Sequence, residues 1–398
     1  MGYYSEYLTQ NLSFDALSTK RKEQLQRISE LRGGRDILVY AADQAESRAP
    51  ISIEFSDRLP FQDQVSTLSG KALDFILETP GGSGEVAEDF VRMLRRKYDD
   101  IAIIIPGSAM SAGTIIAMAA NDILMEPDMS SLGPIDAQLQ WQGKVFSAHA
   151  LLAGVNKIKD EAVQTGGLNR AYIPILQTLS PGELEHAENA LKFAKNLVGS
   201  WLAEYKFKDW SHHSSDNRPV TREDKEGRAS QVAEELCDHS KWKSHGRSIK
   251  LADLEAMRLR ITDYSTNAAL AEAIQRYYSL LRMSFETPLF KVIETQTSQI
   301  YRFIQIESAP TASPFPAPPG GGQPQPPAAP DAVLIAKPCI GCGHKLEIRA
   351  KFRQGMPLPP GQIDYPANNL LKCPHCGADN DLTADRAHIE RQFGRPIV

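Results

Sequence analysis

Residues 72–125 decide the fold: ALDFILETP-GGSGEVAEDF-VRMLRRKYDD-IAIIIPGSAM-SAGTIIAMAA-NDILM. Apolar runs alternate here with stretches of helical periodicity. The pattern predicts three strands separated by two helices: strands at 72–78, 101–105 and 122–125, and helices at 85–96 and 111–120. The central run has no polar interruption, which is typical of a strand covered on both faces. The β-α-β-α-β order therefore predicts an α/β domain with parallel strand pairing.

Outward from this segment, the chain changes character several times. Residues 18–31 have helical spacing, 36–40 form an apolar strand pattern, and the region from Ser180 is mainly helical, with Ser180, Pro181 and Glu183 forming a helix-start signature. Residues 308–330 contain nine prolines and a Gly-Gly-Gly run, which indicates a linker. The predicted divisions are a helical lead-in at 1–34, the α/β core at 35–178, a helical extension at 179–307, a Pro/Gly-rich linker at 308–331 and a terminal module at 332–398.

Composition narrows the class of protein. The 398 residues are 42% hydrophobic and 23% charged, as in an ordinary globular protein, and the formal net charge of -5 gives no global reason to expect nucleic-acid or membrane-surface binding. The polar residues 1–11 lack the features of a secretory signal, and no apolar run approaches the roughly 18 residues of a membrane span. We therefore expect a cytoplasmic protein without a membrane span.

Two segments of the core carry features of acyl-transfer chemistry. A serine nucleophile needs a base for its proton and donors for the negative charge on the tetrahedral oxygen. The glycines of 79–84 (TPGGSG) follow a strand and precede a helix, where backbone N–H groups can face an oxyanion. Ser111 stands at the start of the next helix, where unpaired N–H groups favour negative charge. Either segment alone is common in structural turns, but their order within fifty residues favours a serine hydrolase.

The sequence here resembles the Clp-fold serine peptidases, which include the Clp proteolytic subunit and signal peptide peptidase A, and more closely the group named serine dehydrogenase proteinase. The resemblance rests on four segments: ETPGG at 78–82, AMSAGT at 109–114, AANDI at 119–123 and SLGPIDAQL at 131–139. It covers 35–140 strongly and 229–281 more loosely. It implies a Clp/crotonase-like α/β core with a helical extension, self-association into an oligomer, and a protein or peptide substrate.

The same resemblance implies roles for individual residues. Ser111 would be the nucleophile, and the N–H groups of Gly82 and Ala112 would form the oxyanion hole. Gly81 would shape the first loop, and Gly133, next to Pro134, would line the substrate groove.

The general base is the residue that the resemblance does not supply. Where the Clp proteolytic subunit has a histidine, this chain has LGPI at 132–135, so its Ser-His-Asp triad does not carry over. The signal peptide peptidase branch uses a lysine some tens of residues after the serine, and burial can lower a lysine pKa enough for that role. The candidates are Lys157 first, then Lys159, with Lys144 and His149 as further alternatives. From composition alone, each of these residues would be expected to be an ordinary surface or structural side chain.

The terminal module carries four of the five cysteines. Cys339 and Cys342 form one Cys-x-x-Cys pair, and Cys373 and Cys376 form another. Four thiolates at this spacing predict one structural zinc ion in a zinc ribbon and a reducing compartment. Basic residues make the module locally positive, so a protein partner or a nucleic acid are both possible ligands: Lys345, Arg349, Lys351, Arg353 and Lys372. The fifth cysteine, Cys237, is expected to have no chemical role.

Other functions remain as alternatives. A crotonase-like acyl-CoA enzyme would use the same kind of backbone donors, and a non-catalytic scaffold would keep the fold without the base. The GSGEVA run at 82–87 fits a dinucleotide-binding pattern, but Pro106 and Gly107 stand where that motif needs an acidic residue, so no organic cofactor is expected. No phosphate-binding loop of the Walker type occurs, so an unfolding motor would have to be another chain.

Overall fold

The structure is a computed structural model that describes residues 2–141, 144–304, 331–359, 361–393 and 395–398. The chain divides into two units, Met1–Ala309 and Pro310–Val398, and each is described by itself. The linker predicted at 308–330 lies outside the described residues.

The first part of unit 1 contains the segment that decides the fold. Its elements are α1 (Tyr3–Leu8), α2 (Phe14–Leu31), β1 (Asp36–Ala42), α3 (Arg58–Thr67), β2 (Ala72–Glu78), α4 (Gly84–Arg95), β3 (Asp100–Ile104), β4 (Ser108–Ala109), α5 (Ala112–Met118) and β5 (Asp122–Met125). Serine side chains fix two of the helix starts: Ser13 caps α2, and Ser83 caps α4 by accepting from the Val86 N–H.

The second part of unit 1 is mostly helical before it returns to the sheet. Its elements are β6 (Ser131–Leu132), β7 (Gln138–Trp141), β8 (Lys144–Ser147), α6 (Ala148–Thr165), α7 (Ile173–Leu176), α8 (Pro181–Trp201), α9 (Arg222–Leu236), α10 (His239–Trp242), α11 (Leu251–Ala256), β9 (Thr262–Asp263), α12 (Ala268–Phe285), β10 (Leu289–Thr295) and β11 (Gln299–Phe303). The helix start predicted at Ser180 is confirmed, with Pro181 in the first turn and a reciprocal capping box between Ser180 and Glu183.

One seven-stranded sheet organises unit 1, in the order β11-β10-β1-β2-β3-β5-β9. Strands β1, β2, β3, β5 and β9 run parallel, which confirms the predicted β-α-β-α-β core. Strands β10 and β11 are antiparallel additions on the β1 side. The carboxyl ends of the parallel strands therefore meet at one edge of the sheet, where β2 and β3 lead into the two glycine- and serine-bearing loops.

The two faces of the sheet are both covered, as predicted for the uninterrupted strand. Along β3, Ile103 packs into one buried cluster with Phe75 and Phe90, whereas Ile104 packs into a second cluster with Ile76 and Ile274. Each fully buried aliphatic side chain of this kind contributes about 1.5–3 kcal/mol of hydrophobic stabilisation. The sheet is therefore a stiff platform for the loops at its edge.

Strand β10 brings two buried charges into the sheet, and each has a partner. Lys291 Nζ lies 2.8 Å from Asp57 Oδ2, and Arg21 Nε lies 3.0 Å from Glu294 Oε1. Unpaired charges at these depths would be strongly destabilising, so the pairs fix the register of β10 against its surroundings.

Unit 2 is small and built around a three-stranded sheet. Its elements are β12 (Ala332–Pro338), β13 (Lys345–Lys351), β14 (Ile363–Asp364), β15 (Leu370–Lys372), β16 (Asp379–Asp381) and α13 (Thr383–Phe393). In the three-stranded sheet, β12 is antiparallel and β14 parallel to β13. Strand β13 alternates buried and partly exposed residues, and its Leu346 and Ile348 pack with Cys339 and Cys373 in one cluster. Cys339 and Cys373 thus belong to the core of this unit, whereas Cys342 and Cys376 are exposed.

Within the described residues, every helix is too short or too polar to cross a lipid bilayer.

Candidate active site

Ser111 occupies a strained turn at the carboxyl edge of the sheet. The Gly113 N–H donates to the Met110 carbonyl at 2.8 Å, which closes a four-residue turn with Ser111 in its second position. The backbone of Ser111 has φ 51° and ψ -110°, a combination that suits glycine and costs other residues of order 1–3 kcal/mol. The strain projects this serine out of the chain immediately before α5, which is the local geometry of a nucleophile elbow.

Hydrogen bonds on both sides hold the turn in place. The Met110 N–H donates to the Thr79 carbonyl at 2.9 Å, and strand β4 pairs in parallel with β6. Below the turn, the buried Thr114 hydroxyl donates to the Gly133 carbonyl at 2.7 Å and accepts from the Gly133 N–H at 3.0 Å. A Cβ at Gly133 would lie 2.8 Å from Met110 Cε. Gly133 therefore braces the turn from below, and its predicted role in the groove remains a prediction.

Gly81 lies too close to the serine turn, and Gly82 too close to the backbone of Ile53, for either to carry a side chain. A Cβ on Gly81 would lie 2.7 Å from Ser111 Cβ, and one on Gly82 would lie 2.4 Å from the Ile53 carbonyl oxygen. Their φ values of 103° and 143° also favour glycine. Across the described part of the chain, no acceptor takes the N–H of Gly82 or of Ala112. These two donors are therefore available to an oxyanion next to Ser111.

The serine, the two donors and part of α8 line one cleft of about 540 Å³. Its wall from α8 includes His186, Asn189 and Phe193, and its other side includes Ile135 and Asp136. A cleft of this volume can enclose several side chains of an extended peptide.

Asp136 lies at the centre of a histidine cluster that the sequence patterns did not identify. Its carboxylate is 3% exposed; Oδ2 lies 3.5 Å from His239 Nδ1 and 3.8 Å from His245 Nδ1. The other oxygen, Oδ1, accepts from the Ser147 hydroxyl at 2.7 Å. Asp136 Oδ2 and His245 Nδ1 are both buried without a hydrogen bond among the described residues. A small shift would join them, as is common when a site tightens around its substrate.

His245 lines the same cleft as Ser111 and also a second cavity of about 360 Å³ beside Pro80 and Met110. Paired backbones connect the two residues: Ala109 pairs with Leu132, and Leu132 pairs with Ile249, which ends the loop that carries His245. Burial lowers the pKa of His245, the nearby Asp136 carboxylate opposes this shift, and His239 adds to it. A histidine with a lowered pKa is neutral at pH 7 and can accept a proton.

The predicted base candidates lie elsewhere on α6 and β8. Lys157 and Lys159 are exposed on α6, and neither is among the residues that line the Ser111 cleft. The Lys144 side chain lies outside the described part of the structure. His149 is half-buried in the first turn of α6, with its ring centroid 5.5 Å from that of His239. His149 therefore lies beside the histidine cluster around Asp136.

Asp136 and His245 were missed for different reasons. Asp136 stands in the SLGPIDAQL segment, where an acid after Gly-Pro could have been considered as the orienting residue. His245 stands in a Lys-Ser-His-Gly loop without periodicity or motif, and only the pairing of Ile249 with Leu132 brings it to the cleft.

Glu78 supports both loops from beneath. Its buried carboxylate accepts from the Ser108 N–H at 2.8 Å and from Gln44 Nε2 at 2.9 Å. Burial raises the pKa of Glu78 to about 7, although these donors and the nearby Arg282 oppose the shift. This carboxyl therefore changes charge near neutral pH directly under the serine turn.

The four cysteines of unit 2 form a cluster that could hold one metal ion. All four Sγ atoms lie within 4.8 Å of one another, with Cys339–Cys376 at 3.6 Å and Cys342–Cys373 at 3.8 Å. Tetrahedral coordination with metal–sulfur bonds of about 2.3 Å places sulfur atoms about 3.8 Å apart, so the geometry fits. Backbone N–H groups of Cys342 and Gly341 lower the pKa of the Cys339 thiol to about 6. Cys339 thus favours thiolate, the form that binds metal, whereas, against the lowering effect of the Ala378 N–H, hydrogen bonds with the neighbouring thiols raise the pKa of Cys376 to about 12.

A strained serine beside two N–H donors without an acceptor, in an α/β core with parallel strands, is the arrangement expected of a serine hydrolase with a Clp-like fold. Residues 7–175 match the family model described as ClpP-like SDH-type serine proteinase, which confirms for this segment the resemblance drawn from the sequence. The match includes Ser111, both glycines and Asp136, and it ends before His245. The fold class, a Clp/crotonase-like α/β core with a helical extension and a small cysteine-bearing module, is likewise confirmed.

Two curated relatives come from Methanocaldococcus jannaschii. The uncharacterized protein MJ1495 is 28% identical over 137 residues, covering 33% of this chain and 47% of the relative. The uncharacterized protein MJ0137 is 30% identical over 140 residues, covering 34% of this chain and 49% of the relative. The chain therefore spans about half the length of these relatives.

Similar solved structures include a mutant of the 1510-N membrane-bound stomatin-specific protease, at 15% identity and a TM-score of 0.32, covering 55% of this chain and 77% of that one. A monofunctional enoyl CoA isomerase from M. smegmatis follows at 12% identity and a TM-score of 0.27, covering 61% and 89%. At these values the likeness says nothing about activity.

Proposed function

We propose that this chain is a serine peptidase in which Ser111 is the nucleophile, His245 the general base and Asp136 the residue that orients it. The observation that carries this proposal is the shared cleft, which is lined by both the strained Ser111 and the partly exposed His245. The family match supports a serine proteinase in general, and the assignment of the base rests on the placement of His245 and Asp136.

The proposed reaction follows from the positions of these groups. The Ser111 hydroxyl attacks the substrate carbonyl while its proton passes to His245 Nε2, because Nδ1 faces Asp136. The N–H groups of Gly82 and Ala112 stabilise the oxyanion. His245 then gives the proton to the departing amine, and water releases the acyl group from Ser111 by the same steps in reverse roles.

A lysine base is the second candidate. Because Lys157 and Lys159 are exposed on α6, either would have to reach Ser111 from another copy in an oligomer. The Clp resemblance supports self-association, so this arrangement is a real competitor to His245.

Labelling with a fluorophosphonate probe separates the candidates. We expect Ser111→Ala to abolish labelling and His245→Gln to slow it by about 10²–10⁴-fold, the usual contribution of a general base. His239→Gln is the matched control, since this histidine also approaches Asp136 and should retain most of the rate. Loss of labelling in a Lys157→Met or Lys159→Met variant, with His245→Gln still active, would assign the base to lysine. Undiminished labelling of Ser111→Ala would leave the scaffold or acyl-CoA alternatives.

For unit 2 we propose a zinc ribbon that holds one structural ion through Cys339, Cys342, Cys373 and Cys376 and recruits a substrate or partner. Thiolate ligands need a reducing compartment, and we propose the cytoplasm. Metal analysis should give one zinc per chain, lost in Cys373→Ser and kept in Cys237→Ser, because Cys237 is buried far along the chain in unit 1. Equal zinc in both variants would contradict the site.

The charge pattern of the ribbon favours a protein partner over nucleic acid. Three of its basic residues are already engaged: Lys345 with Glu347 at 3.0 Å, Arg349 with Gln362 at 3.1 Å and Lys351 with Asp364 at 2.7 Å. Phosphate contacts would have to displace these partners.

A further inference from the structure

Ser147 makes two hydrogen bonds at the start of α6. Its Oγ accepts from the Ala150 N–H at 3.1 Å, which caps the helix, and the same hydroxyl donates to Asp136 Oδ1 at 2.7 Å. A serine hydroxyl has one proton to donate, and here that proton is directed to the carboxylate. The N-cap of α6 is thus bonded directly to the acid that lies beside His245.

The backbone is fixed on both sides of Asp136. On one side, the Ile135 N–H donates to the Leu236 carbonyl at 3.0 Å. On the other side, the Ala137 carbonyl accepts from the Ala148 N–H at 2.8 Å, in the first turn of α6. These bonds leave rotation of the side chain as the main freedom of the aspartate, and the hydroxyl of the α6 N-cap restricts that rotation.

The Ser147 hydroxyl also decides where the second carboxylate oxygen points. Asp136 Oδ2 lies 3.5 Å from His239 Nδ1 and 3.8 Å from His245 Nδ1. Because the two oxygens of a carboxylate are rigidly linked, a rotation that released Oδ1 from Ser147 would also move Oδ2 away from these histidines. The Asp136 side chain is 3% exposed, so water has little access to orient it, and among the described residues the Ser147 hydroxyl is its hydrogen-bond donor.

We propose that Ser147 is a positioning residue of the peptidase site, which orients Asp136 and, through it, the base His245. The inference rests on the function proposed above, because Ser147 has this role only if Asp136 and His245 act on Ser111. A serine with a purely structural role would cap α6 and do nothing more.

Ser13 is a matched example of a purely structural cap. It starts α2 and accepts from the Ala16 N–H at 3.2 Å, close to the 3.1 Å of the Ser147 cap. The residues of α2 do not line the Ser111 cleft. Ser13→Ala and Ser147→Ala therefore remove the same kind of helix cap, and only the second also removes a donor to Asp136.

The rate of fluorophosphonate labelling of Ser111, together with kcat and KM for a cleaved peptide, tests the proposal. We expect Ser147→Ala to lower the labelling rate and kcat by about 10-fold or more, with KM changed by less than about 2-fold, because a hydrogen bond to a charged group is lost behind the base. Ser147→Thr keeps a hydroxyl and should recover most of the rate. Ser13→Ala should label like the parent.

A double-mutant cycle with Asp136→Asn shows whether the two residues act together. Once the carboxylate has been replaced, Ser147→Ala should lower the labelling rate further by less than about 2-fold, because its effect passes through Asp136. If Ser147→Ala does not fold, Ser147→Gly repeats the comparison, since glycine keeps most of the capping energy and has no hydroxyl.

Three results would overturn the proposal while leaving the peptidase function in place. These are equal labelling rates in Ser147→Ala and Ser13→Ala, no recovery in Ser147→Thr, or fully additive losses from Ser147→Ala and Asp136→Asn. A parent-like labelling rate in Asp136→Asn would instead refute the proposed roles of Asp136 and His245, and the inference about Ser147 with them.

Discussion

The two halves of the Ser111 site are built in different ways. The nucleophile half lies within residues 78–133 and is held by backbone hydrogen bonds, close glycine contacts and the buried Thr114. The base half joins Asp136 to a loop more than a hundred residues further along, with separations of 3.5 and 3.8 Å to its histidines and unsatisfied buried atoms. The difference teaches that the serine turn is preorganised, whereas the proposed base, His245, has to move before it can hydrogen-bond to Asp136.

The largest effect is expected in the base half, from Asp136→Asn. Losing the carboxylate removes the group that orients His245, so kcat/KM should fall by about 10²-fold or more. The pH dependence of activity gives a second test. Because burial lowers the pKa of His245, the parent should lose activity only below the ordinary histidine pKa of about 6.5. Since Asp136 raises that pKa, the variant's acid limb should move to still lower pH. An acid limb above pH 8 in the parent would instead indicate a lysine base.

In the nucleophile half, we expect the largest loss of activity from Gly81→Ala, which changes the closest contact with the serine turn. The added Cβ would lie 2.7 Å from Ser111 Cβ and 2.8 Å from the Met110 carbonyl oxygen, so the turn must shift. Displacements of about 1 Å at a reacting group cost about 10²-fold, and we expect at least that loss in peptidase or probe-labelling rate. Gly199→Ala on α8, with no atom within 4 Å of its added Cβ, is the control and should be fully active.

Glu78, which lies beneath the two loops of the nucleophile half, should make the stability of the protein depend on pH. Its folded-state pKa of about 7 lies above the ordinary value of 4.5, so the folded chain keeps a proton that the unfolded chain releases. The resulting stability is present below pH 4.5 and is lost as pH rises through 7, by up to about 3 kcal/mol. Chemical denaturation at pH 5 and pH 8 should show this loss in the parent and not in Glu78→Gln. If the parent instead became more stable between pH 5 and pH 8, and Glu78→Gln did not, the buried position of the Glu78 carboxyl would be contradicted.

The smallest effect concerns the strain at Ser111 itself. Glycine adopts φ 51° without penalty, so Ser111→Gly should raise the free energy of unfolding by about 1 kcal/mol, after its own extra flexibility in the unfolded chain is subtracted. Ser111→Ala keeps the strain and serves as the comparison, measured by urea unfolding of both variants. Equal stability of the two would mean that the turn is relaxed.

The same contrast marks what the sequence could predict. Strands β2 and β5 were predicted with their observed bounds because their apolar runs are uninterrupted and flanked by clear turns. The helix predicted from 111 begins instead at Ala112, since the positive φ of Ser111 cannot belong to a helix. The position of Ser111 and of its neighbouring glycines could be predicted because one short segment of the sequence contains them all.

The rest depends on pairing between distant segments. Strand β10 carries Lys291 and Glu294 inside the sheet, and two charges obscure a strand pattern unless their partners Asp57 and Arg21 are known. His245 likewise reaches the cleft only because Ile249 pairs with Leu132. Such contacts leave no local signal, so the sequence could offer lysine as the base only through family resemblance and could not indicate His245.

The position of β10 has a consequence for synthesis of the chain. Because β10 pairs with β1, one edge of β1 stays open until residues 289–295 have left the ribosome. The serine turn is complete long before that point, while Asp136 waits for the loop with His245. A growing chain therefore passes through a stage that contains Ser111 but not yet His245, so under this mechanism proteolysis cannot begin before the loop that ends at Ile249 has been made.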